Sequence, residues 1–405
     1  MNLRSRASFA PLLGLLALGE RSPAQVCVAT ASPLQAAIDA AQPGDVILLP
    51  QAGSNLDCSV CVTKPLTFIG VGPASPVTIE ATSALFGGCT YSGATGVFHI
   101  APAVAGTVTF RNLRILGHSG YVSTGNMMRG IYATAPNAVV VLDGCEVRGS
   151  DYCCFQPNDS LGHGAAGIEG TLSRLVVRDS FVLGGEAVPC ASSTPTFGCG
   201  TFPGQCTAGN GGHAIDVTGE VLLVGSYVVG GDGGNAYVPC CNWPSSVTGA
   251  AGTGGSAVLA STVWSWGSAG AGGIGGFKYC QGNFLEQAPS GTGFPSGPDS
   301  TLFTGPHPSP GGTATLTLQN PFGQFGVIAA GLGGWAPTAV YPGHGPYFLG
   351  PNALALAAGT ALSGLSLAVP NDPALVGLGV PVQAALGTSF ASFEFTNPSL
   401  VLIRP

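Results

Sequence analysis

Ionisable side chains are scarce in this chain. Of its 405 residues, 12 are Lys or Arg and 19 are Asp or Glu, 8% together, where a soluble domain carries about 25%. Cations this few, outnumbered by acids, form no basic patch, which excludes nucleic acid as a partner. Net charge is also low, at −7, while hydrophobic residues make up 45%. A disordered chain needs the opposite balance, so disorder is excluded for most of the length. Apolar runs of the ~20 residues that cross a bilayer are almost absent, and no membrane span is expected in the mature chain. Glycine lacks the strict spacing that collagen keeps from end to end.

What the chain has in quantity is Gly (65), Pro (32) and Cys (13). Arg4 and Arg6 precede the apolar stretch Ala10–Gly19, and Ser22-Pro-Ala24 puts small residues where a signal peptidase cuts. That pattern predicts a signal peptide over 1–24 and a secreted or cell-surface product. In an oxidising compartment, cysteines imply disulfides, and the odd count leaves at least one thiol over. Cys58-Ser-Val-Cys61 lacks the second ligand pair of a zinc site. Cys58 and Cys61 are therefore read as disulfide candidates, with Cys153, Cys154, Cys190, Cys199, Cys206, Cys240, Cys241 and Cys280.

A short helix is expected behind the signal. Ser32 is a good N-cap, Pro33 suits the first helical position, and Pro43-Gly44 ends the run. Leu34, Ala37, Ile38 and Ala41 share one face. From about residue 94 the chain repeats itself. Val108–Gly117, Val139–Gly149, Leu175–Gly184, Val221–Gly230 and, more weakly, Ala257–Gly267 each read as a β-branched strand, a tight turn, a second strand and a closing Gly. A third strand precedes most copies. The excess length of each copy follows its closing Gly, in Ser150–Ala166, Gly185–Gly212 and Gly231–Gly255. Seven cysteines and His163 lie in those stretches, which read as loops clamped by cystines. The reading is all-β: a parallel β-helix over 25–285 capped by the helix, a Pro/Gly/Ser linker over 286–311, and an antiparallel β-sandwich over 312–405.

The opening Leu34-Gln-Ala-Ala-Ile-Asp-Ala-Ala-Gln-Pro-Gly-Asp-Val-Ile-Leu-Leu-Pro50, followed by Thr63-Lys-Pro-Leu-Thr-Phe-Ile-Gly-Val-Gly72, resembles the capping helix and first rung of pectin-lyase-like right-handed β-helix proteins. The tail Leu367–Leu386, with Phe395–Ile403, resembles a C-terminal β-sandwich module of secreted proteins from planctomycete-type bacteria. The first resemblance implies a fold that serves polysaccharide lyases, glycoside hydrolases, esterases and non-enzymatic adhesins alike. The second implies export.

Residues with chemistry are few. Asp143, Glu146, Asp179, Asp216 and Glu220 lie on the repeats with Arg148, Arg174 and Arg178 nearby. Asp143 and Asp179 read as turn residues, where Asp bonds locally. Gly162-His163-Gly164 matches one segment of a polygalacturonase-like signature without the paired acids that hydrolysis needs. His213, Asp216 and Asp232 would gather a cation or a sugar hydroxyl if stacked. Gly230-Gly-Asp-Gly-Gly is a fragment of a tandem Ca²⁺ repeat, which leaves Ca²⁺ open, with Asp216 and Asp232 as ligands. Tyr237, Trp243, Trp264 and Trp266 are candidates for sugar stacking or for the core. The favoured function is a structural or glycan-binding protein whose partners are polysaccharide or cell-envelope components. The alternative is a polysaccharide-active enzyme, a lyase before a hydrolase, with His213, Asp216, Asp232, Glu169 and His163 as the residues to locate.

Overall fold

The computed structural model describes residues 25–27, 32–50, 56–57, 59–71, 76–80, 96–117, 128–151, 162–187, 208–238, 250–280, 283–294, 302–304, 308–318, 324–331, 339–341, 345–347, 349, 352–360, 362–376, 378–389 and 392–403. The signal-peptide segment, Trp243 and the cysteines at 58, 153, 154, 190, 199, 206, 240 and 241 lie outside them, as do the side chains of Tyr237 and Cys280. Two compact units form, one over 24–298 and one containing 299–405. Both are built of strands. Among the described residues the one α-helix is Ser32–Ala40, and no helix is long and apolar enough to cross a membrane.

The helix buries Leu34, Ala37, Ile38 and Ala41, the face that the spacing predicts. Gln35 turns its amide onto the edge of the strand Val60–Val62, accepting from the Cys61 N–H at 2.8 Å and donating to the Cys61 carbonyl at 3.2 Å. An edge that would otherwise invite another strand is thereby closed. Lys64 Nζ donates to the carbonyls of Asp39 and Ala41 and ties down the helix end.

An eleven-stranded sheet and a seven-stranded sheet carry the repeats, each adding one strand per repeat in chain order. In the larger sheet Gly106–Arg111, Arg129–Asp143, Ile168–Arg178 and Ile215–Val224 run parallel. The smaller takes Leu113–Leu116, Glu146–Arg148, Phe181–Leu183, Tyr227–Val229 and Ala269–Ala271. The third strand expected before most copies is separate only at the two ends of the array. In the three middle repeats it runs into the first as one long strand, with a register break at Ala135/Val139 and at Thr171/Arg174, while Gly96–Ile100 and Val258–Leu259 remain separate strands. Inward positions stack like on like: Ile131, Ile168 and Ile215 align, as do Val147, Val182 and Val228, and all are fully buried. Phe68, Phe98 and Phe110 fill the same core nearer the N-terminus, with ring centroids 4.8–5.3 Å apart.

Between the two strands of each repeat sits one residue in the left-handed region: Asn112, Gly144, Asp179, Gly225 and Gly267. Asn, Asp and Gly tolerate that conformation. Asp179 is thus the turn residue the sequence suggests. Asp143 is not: it ends its strand, 4% exposed, in register with Arg111 and Arg178. One residue past the turn, Ser180, Ser226 and Ser268 form a buried ladder in which each Oγ accepts the preceding repeat's N–H. Cys145 heads this ladder. No disulfide holds it, and burial pushes its thiol up to about 12. It therefore stays protonated and inert, and Cys61, expected to join a disulfide, is not disulfide-bonded either.

The region read as linker is partly structured. Asn283–Gln287 pairs antiparallel with Phe277–Cys280, and 288–292 bond onto neighbouring glycines. In the second unit Leu302–Thr304, Thr313–Leu318 and Gly364–Ala368 form one antiparallel sheet. Ala353–Thr360, Phe325–Gly331, Gly379–Ser389 and Ser392–Leu402 form another. Leu316, Leu367, Ile328, Val382 and Ala384 from both sheets share one core. The chargeless stretch from Ala353 to Val369 thus splits into strands of two sheets.

Candidate functional site

The glycine-rich stretches flanking the strands build a wall rather than loose loops. Segment 208–214 leads into one repeat, segment 230–235 leaves it, and 250–257 leads into the next. Gly212 N–H donates to Gly185 O, Gly231 to Gly212, Gly255 to Gly231, Gly273 to Gly255 and Gly291 to Gly273, all at 2.8–2.9 Å. Three residues along, Gly234 donates to Gly209, Gly252 to Gly234 and Gly276 to Gly252. Bonds at every third residue are the mark of an extended chain with three residues per turn. Incoming and outgoing segments therefore form two layers joined through these glycines.

Within a layer the other two residues of each triplet are also used. One donates forward, as Gly211 N–H does to Thr253 O, and the next accepts, as Asn210 O does from Gly164 N–H. The accepting residue carries the outward side chain, and its own N–H is the donor left over. A side chain from the preceding repeat takes it. Asn210 N–H donates to His163 Nδ1 at 2.8 Å, Thr253 N–H to Asn210 Oδ1 at 2.9 Å and Ser256 N–H to His213 Nδ1 at 2.8 Å. In the other layer Ile274 N–H donates to Asp232 Oδ1 at 2.7 Å and Phe277 N–H to Asn235 Oδ1 at 2.7 Å. His163, His213 and Asp232 are thus fasteners of the wall. His213 and Asp232 sit in different layers. Among the described residues no three His, Cys, Asp or Glu side chains cluster to hold a metal ion.

His163 can accept at Nδ1 only when neutral. Burial lowers its pKa below the usual 6.5. A folded value below the unfolded one means that the stability from this bond is complete above the unfolded pKa and is lost as pH falls through the folded value. His163→Asn keeps an acceptor and does not titrate. Between about pH 7 and about pH 5, the urea midpoint of the wild type should fall further than that of His163→Asn. Equal slopes would refute this role.

Glu169 and Asp216 lie elsewhere, on the outer face of the larger sheet. One register row joins Cys61, His99, Tyr132, Glu169, Asp216 and Leu259. Neighbours in such a row are about 4.8 Å apart, so Glu169 and Asp216 are adjacent residues on neighbouring strands. Arg129 grips both oxygens of Glu169, at 2.6 and 2.9 Å, and lies 5.2 Å from the centre of the Tyr132 ring. Asp216 is half-buried and has no ion pair among the described residues. Other arginines on the repeats pair across neighbouring strands, as Arg114 does with Glu146 at 3.0 Å and Arg174 with Glu220 at 2.7 Å, or locally, as Arg148 does with Asp151 at 2.8 Å. Trp264 and Trp266 share a face, in register with Leu222 and Val224, directed away from the main core. Trp264 is half-buried with its Nε1 donating to Glu220 at 2.8 Å, and Trp266 is 8% exposed.

Comparison with protein-family models, curated proteins and solved structures finds no match to this chain.

Proposed function

We propose that this is an exported structural, glycan-binding protein, built on a right-handed parallel β-helix of the pectin-lyase-like kind with a C-terminal β-sandwich. Support for the β-helix comes from two parallel sheets that each gain one strand per repeat in chain order. The repeating left-handed turn supports it too. The observation that carries the functional reading is the commitment of His163, His213 and Asp232 to backbone N–H groups. Groups spent on holding a wall are not available to move protons, and the wall presents hydrogen-bonding side chains at fixed intervals.

A second reading rests on the Arg129–Glu169 pair beside Asp216. An acid next to an arginine-held acid suits a polysaccharide-active enzyme. Purified mature protein should be retained by a polysaccharide without releasing reducing ends or unsaturated sugars from it. Turnover of polygalacturonate that Asp216→Ala abolishes would transfer the assignment to the enzyme.

A further inference from the structure

We propose that the outer face of the seven-stranded sheet is a stacking platform for an uncharged polysaccharide, centred on Phe181 and Tyr227. The proposal rests on the glycan-binding reading and gives it a site and a ligand class.

The short strands of this sheet place Arg114, Glu146, Phe181, Tyr227 and Ala269 in one row. Val147, Val182 and Val228, the next residue along each strand, are fully buried, so the row faces outward. Phe181 is 56% exposed and Tyr227 44%. Their ring centroids are 6.2 Å apart, with planes inclined by 68°. Leu183 and Val229 lie half-buried in the adjacent outward row and extend the apolar strip. Aromatic side chains are worth most when buried, yet this pair stands in solvent on a rigid base. Phe181 N–H donates to Cys145 O at 2.8 Å and Tyr227 N–H to Ser180 O at 3.0 Å. A platform fixed in advance loses little entropy on binding.

Size and charge select the occupant. Outward residues two apart on a strand and three neighbouring strands span about 7 by 10 Å. A stable protein interface needs about 800 Å² per partner, so the strip fits a short run of sugar rings and not a protein face. At its edge Arg114 pairs with Glu146, and Arg148 lies 2.8 Å from Asp151 and 3.8 Å from Glu186. Acids outnumber arginines there, which repels a polyanion while leaving donors and acceptors for neutral hydroxyls.

The test is affinity electrophoresis through gels containing hydroxyethylcellulose, glucomannan or xyloglucan, with polygalacturonate as the anionic counterpart. Wild type should be retarded by at least one neutral polymer and not by polygalacturonate. Phe181→Ala and Tyr227→Ala should each weaken that affinity about tenfold, the scale of one lost aromatic contact of about 1.4 kcal/mol, and Phe181→Tyr should keep it. Unchanged thermal melting of the variants checks their fold. Undiminished retardation of the double alanine variant by the neutral polymer would overturn the platform while leaving glycan binding intact. Retardation by polygalacturonate alone would overturn the ligand class. Retardation by none of the polymers would overturn the platform together with the reading beneath it.

Discussion

Gly212→Ala is expected to cost the first unit more than about 4 kcal/mol, enough to prevent its folding. A Cβ at position 212 would stand 2.1 Å from Ala165 O and 2.8 Å from Gly164 O. Both obstacles are backbone, so no rotamer change relieves the clash. Moving Ala165 O by the ångström or more required would break its bond from Gly185 N–H, one link of the ladder that continues through Gly212, Gly231, Gly255, Gly273 and Gly291. Gly359→Ala is the control. Nothing lies within 4 Å of a Cβ there, in the strand Ala353–Thr360 of the second unit. It should leave stability unchanged or raise it by about 0.5–1 kcal/mol. Urea unfolding followed by circular dichroism separates the outcomes: equal behaviour of the two variants would refute the packing account of the wall.

The second large effect is electrostatic. Asp143 stands between two arginines, with Arg111 Nε 3.4 Å and Arg178 Nε 3.8 Å from its carboxylate. All three side chains are at most 8% exposed. Asp143→Asn keeps the shape and removes the charge that both arginines share, while Arg178 keeps its 3.0 Å pair with the more exposed Asp179. Breaking a buried pair in this way costs about 3–5 kcal/mol. Glu146→Gln, one repeat element further on, breaks the Arg114 pair, whose members are 46% and 30% exposed. Exposed pairs contribute less than about 1 kcal/mol. Equilibrium unfolding of the two variants should therefore differ severalfold in lost stability, and equal losses would show that burial does not set the strength of these pairs.

The parts of this fold legible in the sequence are those that follow familiar periods. The amphipathic helix, the β-branched strands and the closing glycines each leave a local pattern of polar and apolar residues. The wall leaves none of that kind. Its segments have almost no side chains to alternate, so they read as loops needing a clamp. A signal was present: Gly209 and Gly212, Gly231 and Gly234, Gly252 and Gly255, and Gly273 and Gly276 are each three apart. Interruption by long insertions hides it from a search for unbroken periodicity. Asp143 misled for a different reason. Asp and Asn favour turns, but the turn here is one residue later, at Gly144, and register with Arg111 and Arg178 is a property of neighbouring repeats. The chemistry of His163, His213 and Asp232 was visible as residue type alone. Their role depends on which N–H each one meets, some 42–47 residues further along the chain. Phe181 and Tyr227 escaped notice because only the register of two short strands brings them side by side.

The triplet bonding of the wall divides the chain into stretches with different freedom to change length. Within 208–213 or 230–235 an inserted residue would carry every following glycine out of its frame, turning side chains toward the opposite layer. Only gains or losses of three keep the frame. The repeats differ in length between the outgoing and incoming segments, over 188–207 and 239–249. Variation along the wall is therefore quantised in threes, and the length differences between repeats fall outside its bonded segments.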